Sequence, residues 1–445
     1  MDPWAHFHHH GRHEGRFASP DHLDSLFDDW SFRLLQAQAR NEATLSPDDQ
    51  HYLNWVMARR HAIHSDWSAV VNVLAHRAFD RDLEPLTPFS HLPRLLYCDA
   101  LCRLGQIEAA ELQLQCIEGL RCADSDRQLM AANLSKQKSV EAWLTAVNAL
   151  FSSNGCLPIS LTGSSPNPDQ LDCQHTLVDD GPLVSVLMAA WNAEAVLDTA
   201  LSGLLNQTHR NLEVIVVDDA SSDATAAIAT KWAKLDPRVR LLQQKTNQGP
   251  YAARNWAIEH ARGEFITVHD SDDWSHPQKL ATQVKALMHH PKLKATQSAW
   301  VRVSEGLYFG GWDTPASWLG WVHRNTSSLM MRRAVFEELG YWDEVRCSAD
   351  VEYVDRIVAK WGHKAIEVVS PHIPLAFGRV GEHTLTRAPE THLLSALKGL
   401  RHDYHRAYAA WHAQAQSTGR LYMPRSPKNR PFEIADNMRV KQRRD

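Results

Sequence analysis

An α/β domain built on a mostly parallel sheet, preceded by an all-α, helical-repeat-like domain, is the architecture this sequence predicts. Three observations predict it. Residues 183–390 alternate strand-like apolar runs with helical periods, the pattern of parallel strands covered by helices. Residues 46–152 keep a helical period throughout and contain three mutually similar stretches. Between them, residues 153–182 gather Ser, Asn, Gly, Pro and Asp in SSNG, GSSPNPD and VDDGP, the composition of a linker. A chain of 445 residues exceeds one core and suits two or three such units.

Taken in order, residues 1–45 open with a His-rich tail (His6, His8, His9, His10, His13) set among Gly, Arg and Pro. The cluster fits a metal or, with those neighbours, a solvated tail. Leu23, Leu26, Phe27, Trp30, Leu34 and Leu35 then recur at helical spacing, which predicts a docking helix. In 46–152 the stretches HSDWSAVVNVL, LGQIEAAELQL and KSVEAWLTAVN align on Ala69, Ala109 and Ala142, 40 and 33 residues apart. Those spacings bracket the tetratricopeptide period, so helical hairpins offering a docking surface to a protein partner are expected, with a plain helical bundle as the alternative.

After the linker, LVSVLMAA, LEVIVVDDAS, VRLLQQK and EFITVHD predict four strands. The helices between them are expected over Glu194–Leu205, Asp223–Leu235 and Tyr251–Ala261. Residues 391–445 add a C-terminal helix and a basic tail ending MRVKQRRD.

Bulk properties narrow the function classes. A formal charge of −5 with 22% charged residues argues against nucleic acid as partner. Seven Cys without a CxxC pair read as reduced thiols and a cytoplasmic location. No apolar run reaches the roughly 18 residues of a membrane span, so any membrane contact is expected to be peripheral. Neither GxGxxG nor GxxxxGK[ST] is present, which removes the main support for the dinucleotide-binding and P-loop versions of this architecture.

Ligands of open α/β sheets bind beyond the carboxyl ends of the strands, where this sequence places Asp218, Asp219, Asp270 and Asp272. In HDSDDW, Asp270 and Asp272 alternate with Ser271 and share one face of an extended backbone. They repel each other unless a cation lies between them. Hard oxygen ligands of this kind suit Mn²⁺ or Mg²⁺; a solvated acidic turn is the alternative for DSDD taken alone.

The runs SVLMAAWNAEAVLDTALSGLLNQTHRNLEVIVVDDASSDAT and NQGPYAARNWAIEHARGEFITVHDSDDW together resemble the nucleotide-sugar-binding half of a family 2 glycosyltransferase with the GT-A fold. The resemblance covers about 180–380. It implies that Ala189 and Asp219 lie against the nucleotide base with Asp218 nearby. It implies that Arg254 holds the nucleotide end or the pyrophosphate, and that Asp270 and Asp272 are the family's DxD, binding a divalent ion on the diphosphate.

The family's catalytic base corresponds to Asp350 in GYWDEVRCSADVEYVDRI, where Ala349 replaces the usual Glu; Glu352 and Asp343 are the substitutes. A helix-capping role for Asp350 is the structural alternative. Trp342 reads either as a platform for a sugar face or as a core residue. GRVGEHTLTR resembles the loop that closes over bound nucleotide, which makes His383 a third candidate metal ligand.

The resulting expectation is a metal-dependent inverting glycosyltransferase taking a nucleotide-diphosphate sugar, a UDP-sugar first, to a glycan or lipid-linked acceptor in surface polysaccharide biosynthesis. Two rivals remain. One is a catalytically silent scaffold that senses nucleotide sugar and acts through its helices. The other is a nucleotidyltransferase, which would carry a basic, Gly-rich loop where SVLMAAWNAEA stands.

Overall fold

The structure, a computed structural model, describes residues 29–40, 47–75, 91–117, 124–163, 166–312, 320–380, 391–396, 399–425 and 430–440. It divides into two compact units. One takes Met1–Leu150 together with Phe309–Trp321, the other Phe151–Tyr308 with Val322–Asp445.

The first unit is helical: α1 (Asp29–Ala39), α2 (Pro47–Ile63), α3 (Trp67–Ala75), α4 (Leu92–Arg103), α5 (Ile107–Gln115), α6 (Asp124–Lys136) and α7 (Val140–Ser153, crossing the boundary). The three similar stretches supply α3, α5 and α7, each following a short turn. The spacing did not foretell the return of Phe309–Trp321 to this unit. There the Asn133 amide donates to the Phe309 carbonyl (2.8 Å) and accepts its N–H (2.9 Å), while Trp143 stacks on the Phe309 ring at 5.6 Å. Trp312 donates its indole N–H to Asp99 (2.8 Å), and the Trp321 N–H reaches the Asp126 carboxylate (3.1 Å).

In the second unit the segment expected as a linker is folded. It carries a small antiparallel pair, β1 (Ser160–Leu161) and β2 (Leu171–Asp172), with Ile159, Leu171 and Cys173 buried. The main sheet follows with β3 (Val184–Ala190), β4 (Leu212–Asp218), β5 (Val239–Gln243), β6 (Phe265–Val268), β7 (Trp274–Ser275), β8 (Ala295–Val303), β9 (His323–Arg324), β10 (Met330–Arg332) and β11 (Ile366–Arg379). Its helices are α8 (Leu197–Leu205), α9 (Thr225–Leu235), α10 (Pro250–His260), α11 (Lys279–His289), α12 (Arg333–Leu339), α13 (Ala349–Trp361) and α14 (Leu400–Thr418).

The strand order is β5-β4-β3-β6-β10-β8-β11-β7, with β9 beside β8. The four expected strands form a parallel block, but β10 inserts antiparallel between β6 and β8, and β7 runs antiparallel to β11. The sheet is therefore mixed, not mostly parallel. Three-residue β10 carried no period by which its direction was legible.

Both faces of the parallel block are covered, which is why β3 and β4 read as continuous apolar runs. Val184, Val186 and Met188 point to one core with Leu201 of α8 and Val284 of α11. Leu187, Ile215 and Val217 point to the other, with Ala257 of α10, Tyr353 of α13, and Tyr404, Tyr408 and Trp411 of α14. Each fully buried Val or Leu contributes about 1.5–3 kcal/mol of burial. The C-terminal helix thus belongs to the core that carries the strand ends.

Candidate active site

The site grows from the carboxyl ends of β3, β4 and β6. Ala189 lies half-buried one residue before the end of β3, in register with Val217. The loops after β3 and β4 each turn through a non-glycine residue at positive φ, Asn192 (47°) and Ala220 (57°), a strained backbone that its surroundings must hold. They hold one another: Asn192 N–H donates to Ser221 Oγ (3.0 Å) and Ser222 N–H to the Asn192 side chain (2.9 Å).

Asp218 and Asp219 are both buried there. Asp218 Oδ1 accepts the Ser221 N–H at 3.2 Å. The two carboxylate oxygens of Asp219 accept the N–H groups of Gln248 and Gly249, each at 2.8 Å, fixing the chain as it enters α10. Burial pushes Asp219 above the usual carboxylate range against those two hydrogen bonds. Gly249 adopts φ 86°, a conformation in which glycine alone is unstrained.

The first turns of α10 then carry Tyr251 and Arg254, three positions apart on one face of the helix. Arg254, buried, donates to Asp270 Oδ1 at 2.6 Å, and its guanidinium lies 5.4 Å from the Tyr251 ring centre. The Tyr251 hydroxyl donates to Asp350 Oδ1 at 2.9 Å, across 99 residues of sequence. Asp350 sits half-buried in the first turn of α13.

After β6, one oxygen from each of Asp270, Asp272 and Asp273 falls within 4.8 Å of the others. Burial, then the Asp270 charge, push Asp272 up to about 6; burial, then the Asp272 and Asp270 charges, push Asp273 well above the carboxylate range. Three carboxylates so crowded fit a hard divalent cation, which would relieve their repulsion.

Their backbone is held by side chains that spacing did not single out. His269 Nδ1 donates to the Asp270 carbonyl (2.6 Å), leaving Nε2 to accept from Ser275 Oγ (2.7 Å). Burial, then nearby Lys279, hold that imidazole neutral with its pKa lowered to about 3. The Arg379 N–H donates to the Asp273 carboxylate (3.2 Å), and the Arg379 guanidinium pairs with Asp169 from the segment before β2.

The substitutes for Asp350 are committed elsewhere. Asp343 is buried against Arg430 (2.7 Å) and the Tyr404 hydroxyl (3.1 Å). Glu352 is completely buried between Arg356 and His412. Trp342 is a core residue, 2% exposed and 4.8 Å from the Tyr353 ring. His383, with residues 381–390 around it, lies outside the described residues, as does the His-rich tail. The structure therefore joins Asp218, Asp219, Arg254, Asp270, Asp272 and Asp350 around the start of α10. Among the described residues no helix is long and apolar enough to cross a membrane.

Residues 185–340 match the family model for glycosyl transferase family 2, so the chain carries a family 2 glycosyltransferase domain. Asp350 lies beyond the matched residues. The chain is similar to EpsH of Bacillus subtilis (50% identity over 96 residues; 22% of this chain, 28% of that one) and to EpsE of the same organism (32% over 184 residues; 40% and 66%). It is also similar to Escherichia coli WfgD, a UDP-Glc:alpha-D-GlcNAc-diphosphoundecaprenol beta-1,3-glucosyltransferase (38% over 109 residues; 24% and 42%). The chain thus spans less than two thirds of the length of these relatives.

Proposed function

We propose that this chain is an inverting, metal-dependent glycosyltransferase. It would move a sugar from a nucleotide-diphosphate donor, a UDP-sugar first, to a glycan or lipid-linked acceptor in surface polysaccharide biosynthesis. One observation supports this reading above the others. The first turns of α10 tie Asp219, the Arg254–Asp270 pair and Asp350 into one constellation, with acids for a metal diphosphate beside Arg254 and a half-buried carboxylate held by the Tyr251 hydroxyl.

In this reading the GT-A domain seats the donor's nucleotide on the strand ends at Ala189, Asp218 and Asp219. Arg254, permanently charged and planar, faces the diphosphate. Asp270 and Asp272, with Asp273 beside them, would hold Mn²⁺ or Mg²⁺, which when bound neutralises the charge of the departing nucleoside diphosphate. Asp350 accepts the proton of the attacking hydroxyl as that oxygen bonds to the anomeric carbon and the sugar–phosphate bond breaks. The name of WfgD supports a UDP-sugar as the first donor to test.

Calorimetric titration of UDP into the wild type and Asp272→Ala, with Mn²⁺ and with chelator, tests the metal. Binding is expected only for the wild type with Mn²⁺; equal affinity in all four titrations overturns the reading. Hydrolysis of UDP-glucose followed by NMR tests the displacement. The first-formed glucose is expected as the β anomer, and an initial α product overturns inversion.

A further inference from the structure

We propose that Tyr251 is a positioning residue for Asp350: its hydroxyl, on a ring steadied by the Arg254 guanidinium, fixes the orientation in which the Asp350 carboxylate meets the acceptor. The proposal deepens the reading of Asp350 as the base and rests on it.

The geometry leaves this side chain little else to do. Tyr251 is 5% exposed, and a buried phenol needs a hydrogen-bond partner, which it finds in Asp350 Oδ1 at 2.9 Å. Among the described residues no other group hydrogen-bonds the Asp350 carboxylate. Both helices that bring the pair together are pinned at their starts. Asp219 holds α10 through the Gln248 and Gly249 N–H groups. Ahead of α13, Ser348 stands at φ 67°, a strained conformation for a residue with a side chain, and its Oγ accepts from buried Arg401 at 2.9 Å. Arg401 is itself anchored on the Thr391 carbonyl (2.8 Å).

With both backbones fixed, the torsions of Asp350 are the remaining freedom, and the Tyr251 bond removes them. Oδ1 is occupied, which leaves Oδ2 to receive a proton. The arrangement also runs continuously from the acid cluster to the base, through the Asp270–Arg254 pair and the Arg254–Tyr251 ring contact.

Among the described residues, the titratable groups near Asp350 include Tyr251 and Arg254 from α10, Cys347 from the chain before α13, and Tyr408 from α14. Among the described residues only Tyr251 donates a hydrogen bond to the carboxylate.

The test compares the full-length wild type, Tyr251→Phe, Asp350→Asn and the double variant, with UDP-glucose and Mn²⁺, reading UDP release and UDP affinity. Tyr251→Phe keeps the ring under Arg254 and removes only the hydroxyl. A hydrogen bond to a charged group is worth about ten- to a hundredfold, so kcat is expected to fall by that order with UDP affinity unchanged within about twofold. The double variant should be no slower than Asp350→Asn. An equal further loss in the double variant overturns the proposal, because Tyr251 then acts without Asp350.

Crystal structures of the wild type and Tyr251→Phe decide the geometry independently of any donor. The Asp350 carboxylate is expected in a new or divided orientation, and an unmoved carboxylate overturns the proposal. Full turnover by Asp350→Asn overturns the assignment of the base. A displaced carboxylate in Tyr251→Phe then separates that failure from failure of the contact.

Discussion

Asp343, Asp350 and Glu352 lie within ten positions of one another, and their surroundings rather than their chemistry divide the work. Asp350 has one neutral donor and partial access to water, while Glu352 has Arg356 and His412 and no exposure. For Glu352, burial alone would raise the pKa, but Arg356 and the His412 hydrogen bond outweigh it and hold the carboxyl below its usual range. A depressed carboxyl contributes its stability above the unfolded value, near 4.3, and loses it as pH falls through the lower folded value. Glu352→Gln is therefore expected to cost about 3 kcal/mol at pH 7, by stranding a buried Arg, with the gap to wild type closing below about pH 4. Urea unfolding of both proteins across that range checks it, and a gap constant with pH refutes the ionic account. The strand-end acids were legible because Asp218, Asp219, Asp270 and Asp272 follow apolar runs in sequence. The commitments of Asp343 and Glu352 were not, because Arg430 and His412 lie 87 and 60 residues away.

Elements show where local pattern suffices and where it does not. α8, α9, α10 and β3 to β6 emerge where periodicity puts them, because the apolar positions each buries recur at its own helical or strand period. Gly263, two residues before β6, has a definite reason: a Cβ there would stand 2.5 Å from the Ser185 backbone nitrogen, whose neighbouring Oγ accepts the Gly263 N–H at 2.7 Å. By contrast, the Ser- and Pro-rich residues 153–182 look like a linker yet brace the site. Leu157 exchanges hydrogen bonds with Gln278 (2.7 Å) and His276 (2.9 Å), and Asp169 pairs with Arg379 beside the acid cluster. Their polarity serves side chains of the folded domain, which composition does not distinguish from polarity serving water. Two fragments ending at 440, one starting at 151 and one at 175, with 309–321 replaced in both by a Gly/Ser linker, separate these meanings. The longer one is expected to melt roughly 6–12 °C higher, the effect of about 3 kcal/mol in a domain of this size. Coincident melting curves by circular dichroism would return the segment to the status of a tether.

At the scale of the whole molecule, the units are not consecutive lengths of chain, since Phe309–Trp321 leaves the second unit and joins the first. No period in residues 46–152 announces this, because the helices bury ordinary polar residues whose partners arrive from 176 to 213 positions later. Asn133, completely buried on α6, spends its amide on both the N–H and the C=O of Phe309. A buried amide deprived of its partners costs about 1–3 kcal/mol. Phe309, Trp312 and Trp321, all buried, add apolar burial of about 1.5–3 kcal/mol each. Together these losses approach the 5–15 kcal/mol that holds a typical domain folded. Residues 1–150 alone are therefore expected to lack a cooperative thermal transition, and the same residues joined to 309–321 through a flexible linker are expected to regain one. In the joined protein Asn133→Ala should lower the midpoint, since the Phe309 backbone loses both partners at once. Scanning calorimetry of the three proteins measures this directly. A sharp transition in 1–150 equal to that of the joined protein would show the helices to be self-sufficient, with the returning segment only laid upon them.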